Sequence, residues 1–378
     1  MDFARDDAQT ALAELAGTIL ADHAGHERLR AIERSESRFD DELWRRLAAA
    51  DLLGVPIAER LGGARLGFVE HAIIAEAYGW HLAHVPLMPT TLATSMLERF
   101  GDGRFDDLVR RIVAGETIVT VGFCEEATID PVPTTQAARV GDDWVLSGRK
   151  IKVPYAHIAD AVVVIASTQD GPRLFVLDLT EPPSVGLTVT RAECSCGEPQ
   201  SVIELAGVHL AGDALVTADD AAAVAWTVDR WKGLLCAAAA GVAEAALALT
   251  TSYVCERRQF DQPIGAFQAV HQRIADAQIT TTAISLTTQQ LVWRLSENVP
   301  VDDELPIAAY WASKAYGVCR AAVHLHGGVG VDLDYPLHRY YLWSRELQLL
   351  LGGGAGMLSR YGDRLAGDRA ASATSPRC

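Results

Sequence analysis

This 378-residue sequence lacks a basic cluster and a metal-binding cysteine pattern, and neither a secretory leader nor a membrane span is expected from it. Residues Met1 to Thr10 carry no basic stretch followed by an apolar core, so export by a signal peptide is not predicted. The most apolar run, Gly233 to Thr250, is alanine-rich and interrupted by Glu244, and reads as a buried core helix rather than a membrane span. The 33 Lys and Arg are scattered among 49 Asp and Glu, a formal net charge of −16, which argues against nucleic acid or an anionic membrane as partner. The seven cysteines are spread along the chain. Their tightest pair, Cys194-Ser195-Cys196, has neither zinc spacing nor a second ligand pair nearby. Reduced, structural thiols and a cytoplasmic location are therefore expected. No internal repeat is present, and no low-complexity segment beyond the Ala-rich helix and a short polar tail after Asp368.

What is present is ordinary for a folded protein: 49% hydrophobic and 22% charged residues, in a chain long enough for two or three domains. Residues 1–116 read as helical. Leu12, Leu15, Ile19 and Leu20 recur at helical spacing, as do Leu43, Leu47, Leu52 and Leu53. Gly54-Val55-Pro56-Ile57 breaks the pattern, Gly62-Gly63 marks a tight loop, and helices resume over Phe68–Tyr78 and Asp102–Ala114. Residues 117–218 change texture. Short β-branched runs at Thr117–Val121, Trp144–Leu146, Ala161–Ile165, Arg173–Leu177 and Val202–Leu205 alternate with turn signals, which predicts an antiparallel barrel or sandwich. Residues 219–368 are helical again, with long stretches at Asp219–Arg258, Ala266–Glu297, Leu305–Leu325 and Arg339–Leu365 suited to a four-helix bundle. The expected fold is multi-domain α+β in the order helices, strands, helices, followed by the 369–378 tail.

Two segments of the last region carry candidate chemistry. In Glu256-Arg257-Arg258-Gln259-Phe260-Asp261-Gln262-Pro263-Ile264-Gly265, followed by Phe267-Gln268, a helix ends in a basic pair and a new one starts. An arginine beside a fresh helix N-terminus suits a diphosphate, although a surface arginine in an ordinary loop has the same sequence. In His324-Leu325-His326-Gly327-Gly328-Val329-Gly330, three glycines follow a long helix. They allow close approach of backbone to a ligand, or serve as a plain helix stop. The loop is not a Rossmann fingerprint, because it follows a helix rather than a strand.

Taken together, these segments resemble the signature of the acyl-CoA dehydrogenase family. So do the loop leading into Tyr335-Pro336-Leu337 and Arg339-Tyr340, and the early Gly54-Val55-Pro56…Gly62-Gly63. The resemblance covers almost the whole chain in the right domain order. It implies FAD as cofactor, an acyl-CoA as substrate and electron-transfer flavoprotein as electron acceptor. It also implies that Arg257, Gln259, Phe260, Gln268, His324, Gly327, Gly328 and Gly330 contact the adenosine diphosphate half of an FAD seated in a neighbouring chain.

The chain departs from that family where the chemistry happens. Removing a proton α to a thioester needs a positioned carboxylate, and the family places a Glu at one of two positions. Here those positions are Leu351 and Trp231. The nearest acids, Glu346 and Asp229, lie about 140° and about 200° round their helices. In the family's ring-holding loop and strand, this chain has Glu125-Glu126-Ala127-Thr128-Ile129-Asp130 and Lys152-Val153-Pro154-Tyr155. No catalytic residue is therefore assigned. The resemblance narrows to the base-less chains of bacterial α2β2 enzymes that oxidise steroid side-chain CoA thioesters, paired with a related chain that carries the Glu. A self-sufficient homotetramer or flavin oxygenase with another base, and a flavin-free scaffold, stand as alternatives.

Overall fold

The structure is a computed structural model that describes residues 3–126, 133–180, 184–217 and 222–374, with side chains to residue 366. The chain forms two compact units. The first holds Arg5–Tyr78 and Ala83–Trp231; the second holds Gly79–Leu82 and the chain from Lys232 onward.

The first unit begins with α1 (Asp7–His23), α2 (His26–Arg34) and α3 (Asp41–Ala49). Asp6 caps α1 in a capping box with Gln9, which satisfies end groups that the helix itself leaves unpaired. Asp40 caps α3 through the Leu43 N–H and also accepts two hydrogen bonds from Arg28, with His23 Nδ1 at 3.1 Å. Burial pushes this carboxyl up, but the Arg28, Leu43 and His23 hydrogen bonds outweigh it and hold it down at about 2. One carboxylate thus ties the first three helices together. The Gly54–Gly63 loop is sterically fixed: a Cβ on Gly63 would lie 2.1 Å from the Ile57 carbonyl oxygen. Then come α4 (Phe68–His81), α5 (Leu87–Phe100) and α6 (Asp106–Val113). Helix α5 is buried from Leu87 to Leu97 except at Ser95, so it presents no polar stripe to betray it in the sequence.

The strand region forms one curled seven-stranded sheet: β1 (Val119–Gly122), β2 (Gln136–Val140), β3 (Asp143–Pro154), β4 (Ala161–Thr168), β5 (Gly171–Asp178), β6 (Leu187–Ala192) and β7 (Gln200–Leu210). The β2–β3, β4–β5, β3–β7 and β6–β7 pairings are antiparallel, as the turn-separated strands predict. Two pairings are parallel. Strand β1 lies along the first half of β4, and β2 meets the end of β4 at Gln136 and Ser167. Both faces of β4 are buried from Ala161 to Ala166, which explains its unbroken apolar run. One apolar core joins α5, α6, β1 and β4 to Ala223 and Val224; another lies inside the sheet around Leu146, Phe175, Ile203 and Val208.

Helix α7 (Ala222–Glu256) starts in the first unit and continues into the second. By length and hydropathy it matches a membrane span, yet 83% of its most apolar window is buried inside the fold. The second unit continues with the short strands β8 (Arg258–Gln259) and β9 (Gln262–Pro263), then α8 (Gln268–Ser296), α9 (Glu304–Ala312), α10 (Ala315–His326), α11 (Leu337–Leu350) and α12 (Gly353–Thr374). Two of the four expected long helices are broken: the third between Ala312 and Ala315, and the fourth at Gly352 and Gly353, where φ is 84° and 70°. Positive φ at two successive glycines ends a right-handed helix.

Candidate functional site

The two segments singled out in the sequence meet in the second unit. Helix α7 ends at Glu256, and the Arg257 N–H still donates to the Tyr253 carbonyl at 2.8 Å. Strands β8 and β9 then pair as a hairpin, Arg258 opposite Pro263 and Gln259 opposite Gln262, leaving Phe260-Asp261 as a two-residue turn. Both turn residues have positive φ, 52° and 65°, the geometry of a type I′ turn. Such a turn favours Asn-Gly, and a bulky residue there is strained by about 1–3 kcal/mol. Phe260 is nevertheless 87% exposed, touching Phe267 edge-on at 6.2 Å. A strained aromatic held out in solvent does nothing for the stability of this chain alone.

Helix α8 starts at Gln268 with no side-chain cap on its first turn, so its N-terminal dipole is open to an anion. Arg257, Gln259 and Gln268 are all exposed. Gln259 is committed locally, its Nε2 donating to the Arg258 carbonyl, whereas Arg258 donates to the Asp261 carbonyl and braces the turn.

The glycine loop faces the same neighbourhood. Tyr253, which accepts the Arg257 N–H, stacks on His326 with ring centroids 4.1 Å apart. His326 Nδ1–H donates to the Ala322 carbonyl, and Nε2 lies 3.2 Å from the Tyr335 hydroxyl. Burial depresses the His326 pKa, and with Nδ1–H engaged on a carbonyl, Nε2 accepts a hydrogen bond from the Tyr335 hydroxyl. Gly327 has φ 62° and ψ −138°, and the space above Gly327 and Gly328 is open. Gly330 is different: a Cβ there would lie 2.7 Å from the Val323 carbonyl oxygen, so it lets the loop fold back on α10. Two glycines offer bare backbone to a ligand, and the third holds the loop's shape. His324 is exposed, about 200° round α10 from His326. Of the two histidines in this motif, the sequence assigns His324 to the cofactor, and the structure leaves it exposed while His326 is packed on Tyr253.

The positions where the family's Glu would stand carry apolar side chains. Leu351 is 1% exposed at the end of α11, its N–H bonded to the Leu347 carbonyl. In the first unit, Trp231 packs edge-on against Phe123 at 6.5 Å, on the core cluster of α5, α6, β1 and β4. Beside it Arg230 is 6% exposed, its guanidinium 4.0 Å above the Trp226 ring and 5.4 Å from Phe68. Burial, with Arg99 close by, lowers its pKa to about 10. A cation and aromatic rings thus flank the position. Arg230 carries no motif in the sequence, where it is one of three charged residues in Asp229-Arg230-Trp231-Lys232.

In the sheet, Lys150 is fully buried and donates to Glu125 and to the Ile165 carbonyl. Glu125 also accepts from the backbone N–H and hydroxyl of both Thr134 and Thr135. Burial raises the Glu125 pKa, but the Lys150, Thr134 and Thr135 hydrogen bonds overcome it and hold the carboxyl at about 2. This buried pair clamps Glu125 to Thr134; Ala127, Thr128, Ile129 and Asp130 of the ring-loop comparison lie outside the described residues. Lys152 and Tyr155 both have positive φ, Lys152 at the register shift of β3 against β7 between Lys150 and Val153, and Tyr155 just past the end of β3. Tyr155 is fully buried, and its position is thus one of packing.

Comparison with known proteins decides what these parts belong to. The acyl-CoA dehydrogenase N-terminal domain profile matches residues 6–115, and the C-terminal domain profile matches residues 222–366. The chain belongs to the acyl-CoA dehydrogenase family. Its members are oxidoreductases acting on CH–CH bonds. The acyl-CoA dehydrogenase FadE27 of Mycobacterium tuberculosis is 36% identical over 382 residues, spanning 97% of this chain and 99% of that one. Among solved structures, a variant of the Tcur3481–Tcur3483 steroid ACAD is 39% identical with a TM-score of 0.90, covering 96% of this chain and 99% of that one. The ChsE4–ChsE5 complex from Mycobacterium tuberculosis is 35% identical with a TM-score of 0.91, over the full length of both chains. The order helical domain, curled sheet, helical domain is that of acyl-CoA dehydrogenases.

Proposed function

We propose that this chain is the non-catalytic subunit of a heteromeric, FAD-dependent acyl-CoA dehydrogenase. Its hairpin and glycine loop complete the FAD site of a related chain that carries the catalytic Glu. The observation that carries this reading is the contrast between a kept wall and a lost base. Arg257, Phe260, Gln268, Gly327 and Gly328 are exposed beside an open helix N-terminus and bare backbone, while Leu351 is buried and Trp231 packs against an apolar core.

The wall fits the adenosine diphosphate half of FAD. The guanidinium of Arg257 and the first-turn N–H groups of α8 offer charge and donors to a diphosphate. Gly327 and Gly328 admit a ligand against the main chain, and Phe260 offers a flat face. Gln259 would have to release its local bond to reach a ligand. When bound, the flavin supplies the redox chemistry, and the residues of this chain bind and orient it. The exposed Val329 (40%), Val331 (63%) and Leu333 (64%) beside the loop give a neighbouring chain apolar surface to cover.

The substrate in this reading is a bulky acyl-CoA of the steroid side-chain class, and the electrons leave to electron-transfer flavoprotein. The steroid substrate is supported by the name of the Tcur3481–Tcur3483 steroid ACAD. The paired-subunit reading is supported by ChsE4 with ChsE5 forming a complex. The test is to produce the chain alone and together with a Glu-bearing family member, and to measure flavin per chain and molecular mass. Little flavin alone, and one flavin per two chains in a mixed oligomer, is the expected result. One flavin per chain in a homo-oligomer that an acyl-CoA reduces would overturn it.

A further inference from the structure

The thiol pair that has no part in the cofactor wall sits on the turn between β6 and β7. The Gly197 N–H donates to the Cys194 carbonyl at 3.1 Å, closing a tight turn over Cys194-Ser195-Cys196-Gly197. Gly197 completes it with φ 86°. The turn folds the two cysteines onto one side, so that their sulfur atoms lie 3.0 Å apart, both as free thiols. They differ in access. Cys194 is half-buried beside the exposed Ser195, and Cys196 is 4% exposed. Around Cys196 lie Glu198, Tyr78 and Tyr155, the latter two fully buried side chains. The turn is also anchored from behind, because the Tyr155 N–H donates to the Pro199 carbonyl at 2.9 Å. Neither sulfur therefore needs a large backbone movement to meet the other.

We infer that Cys194 and Cys196 form a reversible oxidative modification site, in which a hydroperoxide converts the two thiols to an intramolecular disulfide. The accessible Cys194 reacts first as its thiolate: a sulfur–oxygen bond forms, the peroxide O–O bond breaks, and water leaves after protonation, giving a sulfenic acid. The Cys196 sulfur then attacks Cys194, forming the S–S bond and expelling a second water. Two thiols lose two electrons and two protons, and one hydrogen peroxide becomes two waters. A bridge across so short a loop stabilises little by chain entropy and is readily reduced by cellular thiols, which makes it a labile mark rather than a structural staple. In a reducing compartment, a disulfide of this kind is a transient, redox-sensing one.

The test treats the full chain with hydrogen peroxide, alkylates the remaining thiols, and maps peptides by mass without reduction. The peptide holding both cysteines is expected to lose two hydrogens and take no alkyl label, and dithiothreitol should restore both labelling positions. Cys255, exposed, serves as the internal comparison. Cys196→Ser should stop at a sulfenic acid on Cys194 that dimedone traps, and Cys194→Ser should leave Cys196 unmodified. Oxygen added to Cys194 without a bridge in the unsubstituted chain would overturn the inference. So would full alkylation of both thiols after a dose that has already oxidised Cys255.

Discussion

The hairpin-and-glycine wall and the two base positions have opposite characters. The wall keeps features that cost this chain stability: Phe260 strained and in solvent, and apolar residues uncovered beside Gly328. At the base positions no strained or solvent-exposed aromatic is held, since Leu351 is buried and Trp231 packs on Phe123. On the proposed reading, a surface retained against its own folding interest serves the partner's flavin, and a position given over to packing no longer serves chemistry. The buried Lys150–Glu125 pair stands between these extremes: it is polar, but wholly consumed in holding the sheet.

Four perturbations separate these regions. The largest effect belongs to Lys150→Met. It leaves Glu125 buried without its cation, and should cost about 3–5 kcal/mol in urea unfolding. Second is Arg257→Ala, which removes one charge-assisted contact worth about 2 kcal/mol. Flavin affinity in the mixed complex should fall roughly 30-fold in a fluorescence titration, with the stability of the chain alone unchanged. Equal flavin loss in both variants would erase the distinction between wall and scaffold. Third is acid. Glu125 is held at about 2 against an ordinary 4.5, and Asp40 at about 2 against 3.8. Both are lowered on folding, so their stabilisation is complete above about 4.5 and is lost as pH falls towards 2. Thermal unfolding followed from pH 6 downward should show that decline, and a flat profile would remove these carboxylates from the account. The smallest effect is that of Phe260→Gly. Relief of positive-φ strain should stabilise the isolated chain by about 1 kcal/mol while weakening flavin retention in the complex.

Much of this was legible in the sequence, and the failures have physical causes. The helix–strand–helix order, and the two motifs of the wall, could be read because glycines, prolines and β-branched runs punctuate them. Helix α5 escaped because it is buried nearly all round and carries Pro89 in its first turn, where proline is tolerated. Strands β2 and β6 escaped because their residues are mostly solvent-facing and carry no apolar run. The break between α9 and α10 has no glycine or proline to mark it: Ser313 and Lys314 keep helical φ and ψ. At the wall, His324 and His326 are equivalent as letters, and only the stack on Tyr253 separates them. The Lys150–Glu125 pair spans 25 residues and becomes visible only when β3 and the start of the loop are brought together.

On the proposed reading the proton-abstracting base belongs to the partner and not to this chain. The most direct measurement is acyl-CoA turnover by the mixed complex after the partner's catalytic Glu is replaced by Gln. Flavin should be retained and turnover abolished, with no carboxylate of this chain able to substitute. Turnover that persists with the partner's Glu gone would place a working base in this chain and contradict the claim.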